Sequence, residues 1–278
     1  MSLLAVTEVT KRFPGQHAPA VDSVSFTLER GSALGLVGES GSGKSTTARL
    51  VAGLVKPDAG SVVLDGTELV GARRATLQSA RRELQFVFQD PFSSLNPRMR
   101  VRDLVGEGLI AHGIERDPKK RLDRVVETLE SVGLDSSQLD RYPRSFSGGQ
   151  RQRIAIARAI AVRPRVLICD EPVSSLDVSV QAQVLNLLAE LREKLDLALV
   201  FIAHDLAVVR YLCDRVAVMN GGRIVEIGTR DEVYGHPQDA YTRALLHAVP
   251  VPDPALERAR RSAALLASRP PAAEGATS

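Results

Sequence analysis

The chain has 278 residues, 44% hydrophobic and 25% charged, with a formal net charge of +3. That is ordinary globular composition, long enough for a sizeable core in one large α/β domain or two smaller ones. Basic and acidic residues alternate along most of the chain and no aromatic-interleaved basic stripe appears, so composition gives no support for a nucleic-acid partner.

Trp is absent and aromatics make up 4%, so the core must rest on Val, Leu, Ile and Ala. Residues 3–9 are a short apolar segment. Val24, Phe26 and Leu28 then alternate with Ser23, Ser25 and Thr27, the period of a strand with one buried face. Residues 33–37 are continuously apolar and end at Gly38, which suits a strand buried on both faces. Residues 44–54 read as a helix, ended by Pro57 and an Asp58-Ala59-Gly60 turn. Further buried strands are expected at 84–88, 166–169, 198–202 and 215–219, with helical patterns between them. Alternation of this kind implies a mainly parallel sheet with helices packed on it. From about 96 to 160 only helical patterns occur, including the stripe Val125, Leu129 and Val132, which reads as an inserted helical subdomain. After Val249 the composition shifts to Ala, Arg and Pro. Residues 250–278 read as a frayed tail in which Leu256, Leu265 and Leu266 could form a brief amphipathic helix.

No window approaches the roughly 18 apolar residues that span a bilayer. The N-terminus lacks the pattern of a signal peptide. Cys169 and Cys213 lie in apolar contexts and read as reduced core thiols. His236 and His247 read as structural or surface histidines without a metal role.

Gly38-Glu39-Ser40-Gly41-Ser42-Gly43-Lys44-Ser45-Thr46 fits the P-loop pattern. Its glycines let the backbone curl until several N–H groups point into one concavity, and the following helix adds its positive end. Lys44 can reach the β- and γ-phosphates and the Ser45 hydroxyl can ligate Mg²⁺. A chance match in a chain of this length is on the order of one in a hundred, and the flanking strand and helix supply the required context. Residues 166–171 form an apolar strand ending in Asp170 and Glu171. Asp170 can hold Mg²⁺ and Glu171 can polarise the water that attacks a γ-phosphate. Alone such an ending is a common solvated turn, but the P-loop makes that reading weak.

Phe146-Ser147-Gly148-Gly149-Gln150 is the third element. Ser147 and Gln150 have capping-box spacing, and the two glycines permit close approach of backbone N–H groups to a ligand. This segment resembles the signature sequence of the ABC ATPase family. The resemblance covers residues 3–249 and implies a P-loop NTPase core with a mainly parallel sheet, an antiparallel β subdomain and an inserted α-helical subdomain, residues 1–249 forming the nucleotide-binding domain. It also implies ATP and Mg²⁺ as cofactors and a head-to-tail dimer in which each ATP lies between one P-loop and the partner's Ser147, Gly148, Gly149 and Gln150. Gln89 matches the glutamine loop that contacts Mg²⁺ or the lytic water. Ser175-Leu176-Asp177 matches the loop across the dimer interface, and His204 the switch histidine at the γ-phosphate. Phe13 matches the aromatic that stacks on adenine, where many members have Tyr. Phe146 stands in place of the commoner Leu and Ala203 in place of Ser, neither removing a catalytic group.

Within the family, residues 90–98, 177–183 and the late His236-Pro237 and Tyr241-Thr242-Arg243 are similar to the oligopeptide, dipeptide and nickel importers. That branch implies two transmembrane permease subunits, a second ATPase subunit that is identical or a sister chain, and indirectly an extracytoplasmic solute-binding protein. The chain would sit peripherally at the cytoplasmic face of the membrane. The turn at 90–98 is expected to shape the groove that docks a permease helix, with Leu95 and Arg98 as its test positions. An exporter ATPase and a soluble ABC-type ATPase stay open as alternatives.

Overall fold

The computed structural model describes residues 2–248, and the expectations for residues 250–278 lie outside them. The chain opens with β1 (Leu4–Lys11), β2 (Val21–Leu28) and β3 (Ala33–Val37), followed by α1 (Lys44–Val51). Next come β4 (Ala59–Leu64), β5 (Thr67–Glu68), α2 (Arg74–Glu83) and β6 (Leu84–Val87). Four helices without a strand follow: α3 (Pro91–Ser94), α4 (Val101–Ala111), α5 (Pro118–Ser131) and α6 (Gly148–Ile160). The chain then alternates through β7 (Val166–Asp170), α7 (Val178–Leu195), β8 (Ala198–Ile202), α8 (Leu206–Leu212) and β9 (Arg215–Asn220). It closes with β10 (Arg223–Thr229), α9 (Arg230–Gly235) and α10 (Ala240–Ala248).

Two sheets result. An antiparallel sheet has the order β2-β1-β4-β5, and a six-stranded sheet the order β10-β9-β3-β8-β7-β6. In the larger sheet every pairing is parallel except β10 with β9. Its strands are continuously apolar because both faces are covered. Ala33 and Val37 of β3 face one core with Leu199 and Phe201 of β8, packed by the helices. Leu34 and Leu36 face the other with Val200 and Ile202, where α1 and the antiparallel sheet close over them. Cys169 and Cys213 are buried, and burial pushes both thiols up, out of the thiolate range.

Several boundaries differ from expectation. Helix α1 ends at Val51, three residues short of Leu54. Ala59 and Gly60 belong to β4, paired to β1 through Thr10, and not to a turn. Segment 90–98 contains a short helix, α3, because the Asp90 carboxylate accepts the N–H groups of Phe92 and Ser93. Leu95 is 1% exposed and belongs to the core, so it cannot line a docking surface. Arg98 is exposed. The exposed apolar side chain of this segment is Phe92, whose ring lies 3.9 Å from the Arg151 guanidinium carbon. Strand β10 was not foreseen, although Gly221-Gly222 between two apolar runs is a hairpin signal.

Candidate active site

Four neighbouring parallel strands, β3, β8, β7 and β6, deliver chemistry at the same edge of the sheet. The P-loop follows β3, His204 follows β8, Asp170 ends β7 with Glu171 next, and Gln89 follows β6. This is the carboxyl edge of an open parallel sheet, where such folds place their ligands.

The P-loop conformation depends on two glycines above all. Gly38 has φ 147° and a Cβ there would lie 2.1 Å from the Met219 carbonyl oxygen. Gly43 has φ 103°, and its Cβ would lie 2.5 Å from the Ala20 carbonyl oxygen. Gly43 is also the N-cap of α1 and supplies no side chain to the orphan N–H groups of the first turn. An anion can therefore take them. Lys44, 4% exposed, donates from Nζ to the carbonyls of Gly38 and Glu39, both at 2.8 Å. Burial pulls its ammonium pKa down, and the charges of Glu171 and Asp170 oppose that shift. Ser42 is buried within the loop, whereas Glu39, Ser40 and Gly41 are exposed.

The Ser45 hydroxyl donates to Asp170 Oδ1 at 2.7 Å. Asp170 is 1% exposed, and its Oδ2 has no hydrogen-bond partner. The nearest cation is Arg49 at 3.9 Å. Burial pushes the Asp170 carboxyl up, with the Ser45 hydrogen bond partly offsetting it. A buried carboxylate oxygen without a donor, beside a hydroxyl, fits a hard divalent cation whose remaining ligands are phosphate and water. Among the described residues no group of three or more His, Cys, Asp or Glu is placed to hold a metal by itself.

Glu171 has φ 47°, a left-handed conformation uncommon for a residue with a side chain. Its Oε2 accepts Gln89 Nε2 at 2.8 Å and lies 3.8 Å from His204 Nδ1. The His204 side chain is 61% exposed. The site thus opens to solvent on its His204 side, while Lys44 and Asp170 lie buried beneath.

The remaining candidates sit elsewhere. Ser147 caps α6 in a closed capping box, its Oγ accepting Gln150 N and Gln150 Oε1 accepting Ser147 N. Gly149 packs so closely on α7 that a Cβ would lie 2.3 Å from Val180 Cγ1. Asp177 caps α7, accepting Val180 N at 2.9 Å and the Ser179 hydroxyl at 2.7 Å. Phe13 is half-buried after β1, with Lys11 Nζ 5.7 Å from its ring centroid. Sequence reasoning missed two neighbours of the site. One is Arg49 beside Asp170. The other is Tyr241, whose hydroxyl accepts the Glu39 N–H at 3.0 Å.

A P-loop, an acidic strand end with a glutamine and a histidine beside it, and a glycine-rich helix cap on one chain define an ABC-type ATPase that uses ATP with Mg²⁺. The chain belongs to the ABC transporter family, which matches residues 21–174. Residues 225–275 match the oligopeptide/dipeptide transporter C-terminal region. The chain is 49% identical to the oligopeptide transport ATP-binding protein OppF of Bacillus subtilis, covering 93% of this chain and 86% of that protein. It is 50% identical to OppF of Salmonella typhimurium, covering 89% and 74%. Among solved structures it resembles the dimeric post-hydrolysis state of the ATP-binding cassette MJ0796 bound to ADP and Pi. The TM-score is 0.73 at 29% identity, covering 82% of this chain and 98% of that one. It also resembles cbiO1 of Clostridium perfringens, part of the transporter complex cbiONQ, with TM-score 0.75 at 28% identity, covering 84% and 91%.

Proposed function

We propose that this chain is the ATP-hydrolysing subunit of a peptide importer. The observation that carries the catalytic part is the convergence of Lys44, Asp170, Glu171, Gln89 and His204 on one sheet edge. The OppF relatives, matched over most of their length, support peptides as the cargo.

The loop amides and Lys44 hold the phosphates, while Phe13 stacks on the base. Ser45 and Asp170 would hold Mg²⁺, with Gln89 at its periphery, and Mg²⁺ supplies charge neutralisation on the phosphate oxygens. Glu171 orients the attacking water and accepts its proton. Gln89 fixes the carboxylate through their hydrogen bond, and His204 assists from the neighbouring strand end. The exposed His204 side needs a cover, because hydrolysis in a wet site loses electrostatic stabilisation. A second ATPase chain, joined head to tail, covers it with Ser147, Gly148, Gly149 and Gln150 at its α6 terminus and with Asp177. The dimeric state of MJ0796 bound to ADP and Pi supports a two-chain assembly. Closure then drives two permease subunits, fed by an extracytoplasmic solute-binding protein, from the cytoplasmic face of the membrane. No helix among the described residues is long and apolar enough to cross a membrane.

The test is to purify tagged Glu171→Gln chain from membranes with ATP and Mg²⁺ and identify what accompanies it. Two permease subunits and an ATPase partner are expected. Recovery only from the soluble fraction, with ribosomes or DNA, overturns the transport reading and leaves the ATPase chemistry.

A further inference from the structure

The Tyr241 hydroxyl meets the P-loop from a segment about 200 positions later in the chain: it accepts the Glu39 N–H at 3.0 Å. Glu39 is the loop residue whose carbonyl, with that of Gly38, holds Lys44 Nζ. One peptide residue thus donates outward to Tyr241 and accepts inward from the phosphate-site lysine.

Tyr241 is itself firmly mounted. It lies in the first turn of α10, where the Asp239 carboxylate accepts its N–H at 2.8 Å and that of Thr242 at 3.4 Å. The preceding loop is tied to β10, since Glu226 accepts Gln238 N at 2.8 Å and Asp239 N at 3.1 Å. Arg243 Nη1 donates back to the carbonyls of Pro237 and Gln238 at 3.0 and 2.8 Å. Thr242 is 1% exposed. A helix start held at this many points can restrain a loop, whereas a frayed helix could not.

Glu39 is exposed, and Gly41, two residues on, has nothing within 4 Å of a built Cβ, so this arm of the loop has little packing of its own. We propose that Tyr241 is a positioning residue for nucleotide: it holds the Glu39 peptide so that Lys44 and the loop amides are preset for a triphosphate. The C-terminal module of β10, α9 and α10 thereby becomes part of the nucleotide site without touching the ligand. This rests on the reading of the P-loop as the ATP site.

Tyr241→Phe removes the hydroxyl and keeps the ring. In the full chain, Mg-ATP affinity should fall about fivefold, the worth of one ordinary hydrogen bond. The turnover number of the assembled complex should stay within about twofold, and the melting temperature should be nearly unchanged. Glu39→Pro removes the same bond from the donor side, so the two substitutions should be non-additive: Tyr241→Phe should have little further effect in the Glu39→Pro background. Full additivity, or unchanged affinity in Tyr241→Phe alone, overturns the proposal while leaving the ATP site intact. Lys44→Ala is the separate control. If it binds Mg-ATP as the unaltered chain does, the P-loop reading fails and the Tyr241 proposal with it.

Discussion

Gln89 Nε2 donates a 2.8 Å hydrogen bond to the Glu171 carboxylate across 82 positions of the chain. The two residues follow β6 and β7, adjacent strands at the sheet edge. The bond leaves the second carboxylate oxygen available while holding the first.

A carboxylate held this way is suited to general-base work, which typically contributes about 10²–10⁴-fold. Glu171→Gln should lower turnover by at least about 100-fold while Mg-ATP affinity changes by less than about threefold. Gln89→Ala should retain the base but lose its orientation, at about a tenfold loss of turnover. Steady-state ATPase rates beside equilibrium nucleotide binding check both. Near-normal turnover in the glutamine variant removes Glu171 from its role.

Asp170 stores a cost in the nucleotide-free chain. A buried carboxylate oxygen without a donor is unfavourable, and burial already pushes this group toward its neutral form. Asp170→Asn keeps the oxygen that accepts the Ser45 hydroxyl and removes the charge. The variant should be more stable than the original by about 1–2 kcal/mol without nucleotide and should lose ATPase activity. Denaturant unfolding with and without Mg-ATP measures this, and a destabilised variant defeats the argument.

Gly149 is needed for packing as well as for any ligand. A Cβ would lie 2.3 Å from Val180 Cγ1 but 3.7 Å from Val180 Cβ. Gly149→Ala should therefore destabilise the chain by about 1–3 kcal/mol through overpacking. In a Val180→Ala background the clash is gone, and the better helix former should be neutral or stabilising by up to about 1 kcal/mol. A double-mutant cycle in thermal unfolding reads the coupling. Additive costs in the cycle mean that close packing on α7 is not what Gly149 serves.

Much of this site was legible in the residues themselves. The P-loop, the acidic end of β7 and the Ser147–Gln150 capping box are local devices, written within a few positions and requiring a particular backbone. Strand β8 was matched end to end, because a continuous apolar run between polar flanks has one comfortable place in a parallel sheet. Elements of weaker pattern were missed or misread. Strand β10 has a mostly half-buried pattern that carries little periodic signal. Leu95 sits among turn-forming residues yet is buried, because the helical layer folds back over it.

Residue type and short spacing specify the chemistry on offer: an anion-binding loop, a lysine, paired carboxylates, a second capped helix end. Those properties are local, so they need no knowledge of the fold. Which groups meet depends on how the strands are ordered and packed. The order β3-β8-β7-β6 brings His204 and Gln89 to Glu171, and the anchoring of α10 on β10 brings Tyr241 to Glu39. Those encounters depend on which apolar faces bury each other across the whole domain, a sum over many weak, non-local contacts that no short stretch of chain contains.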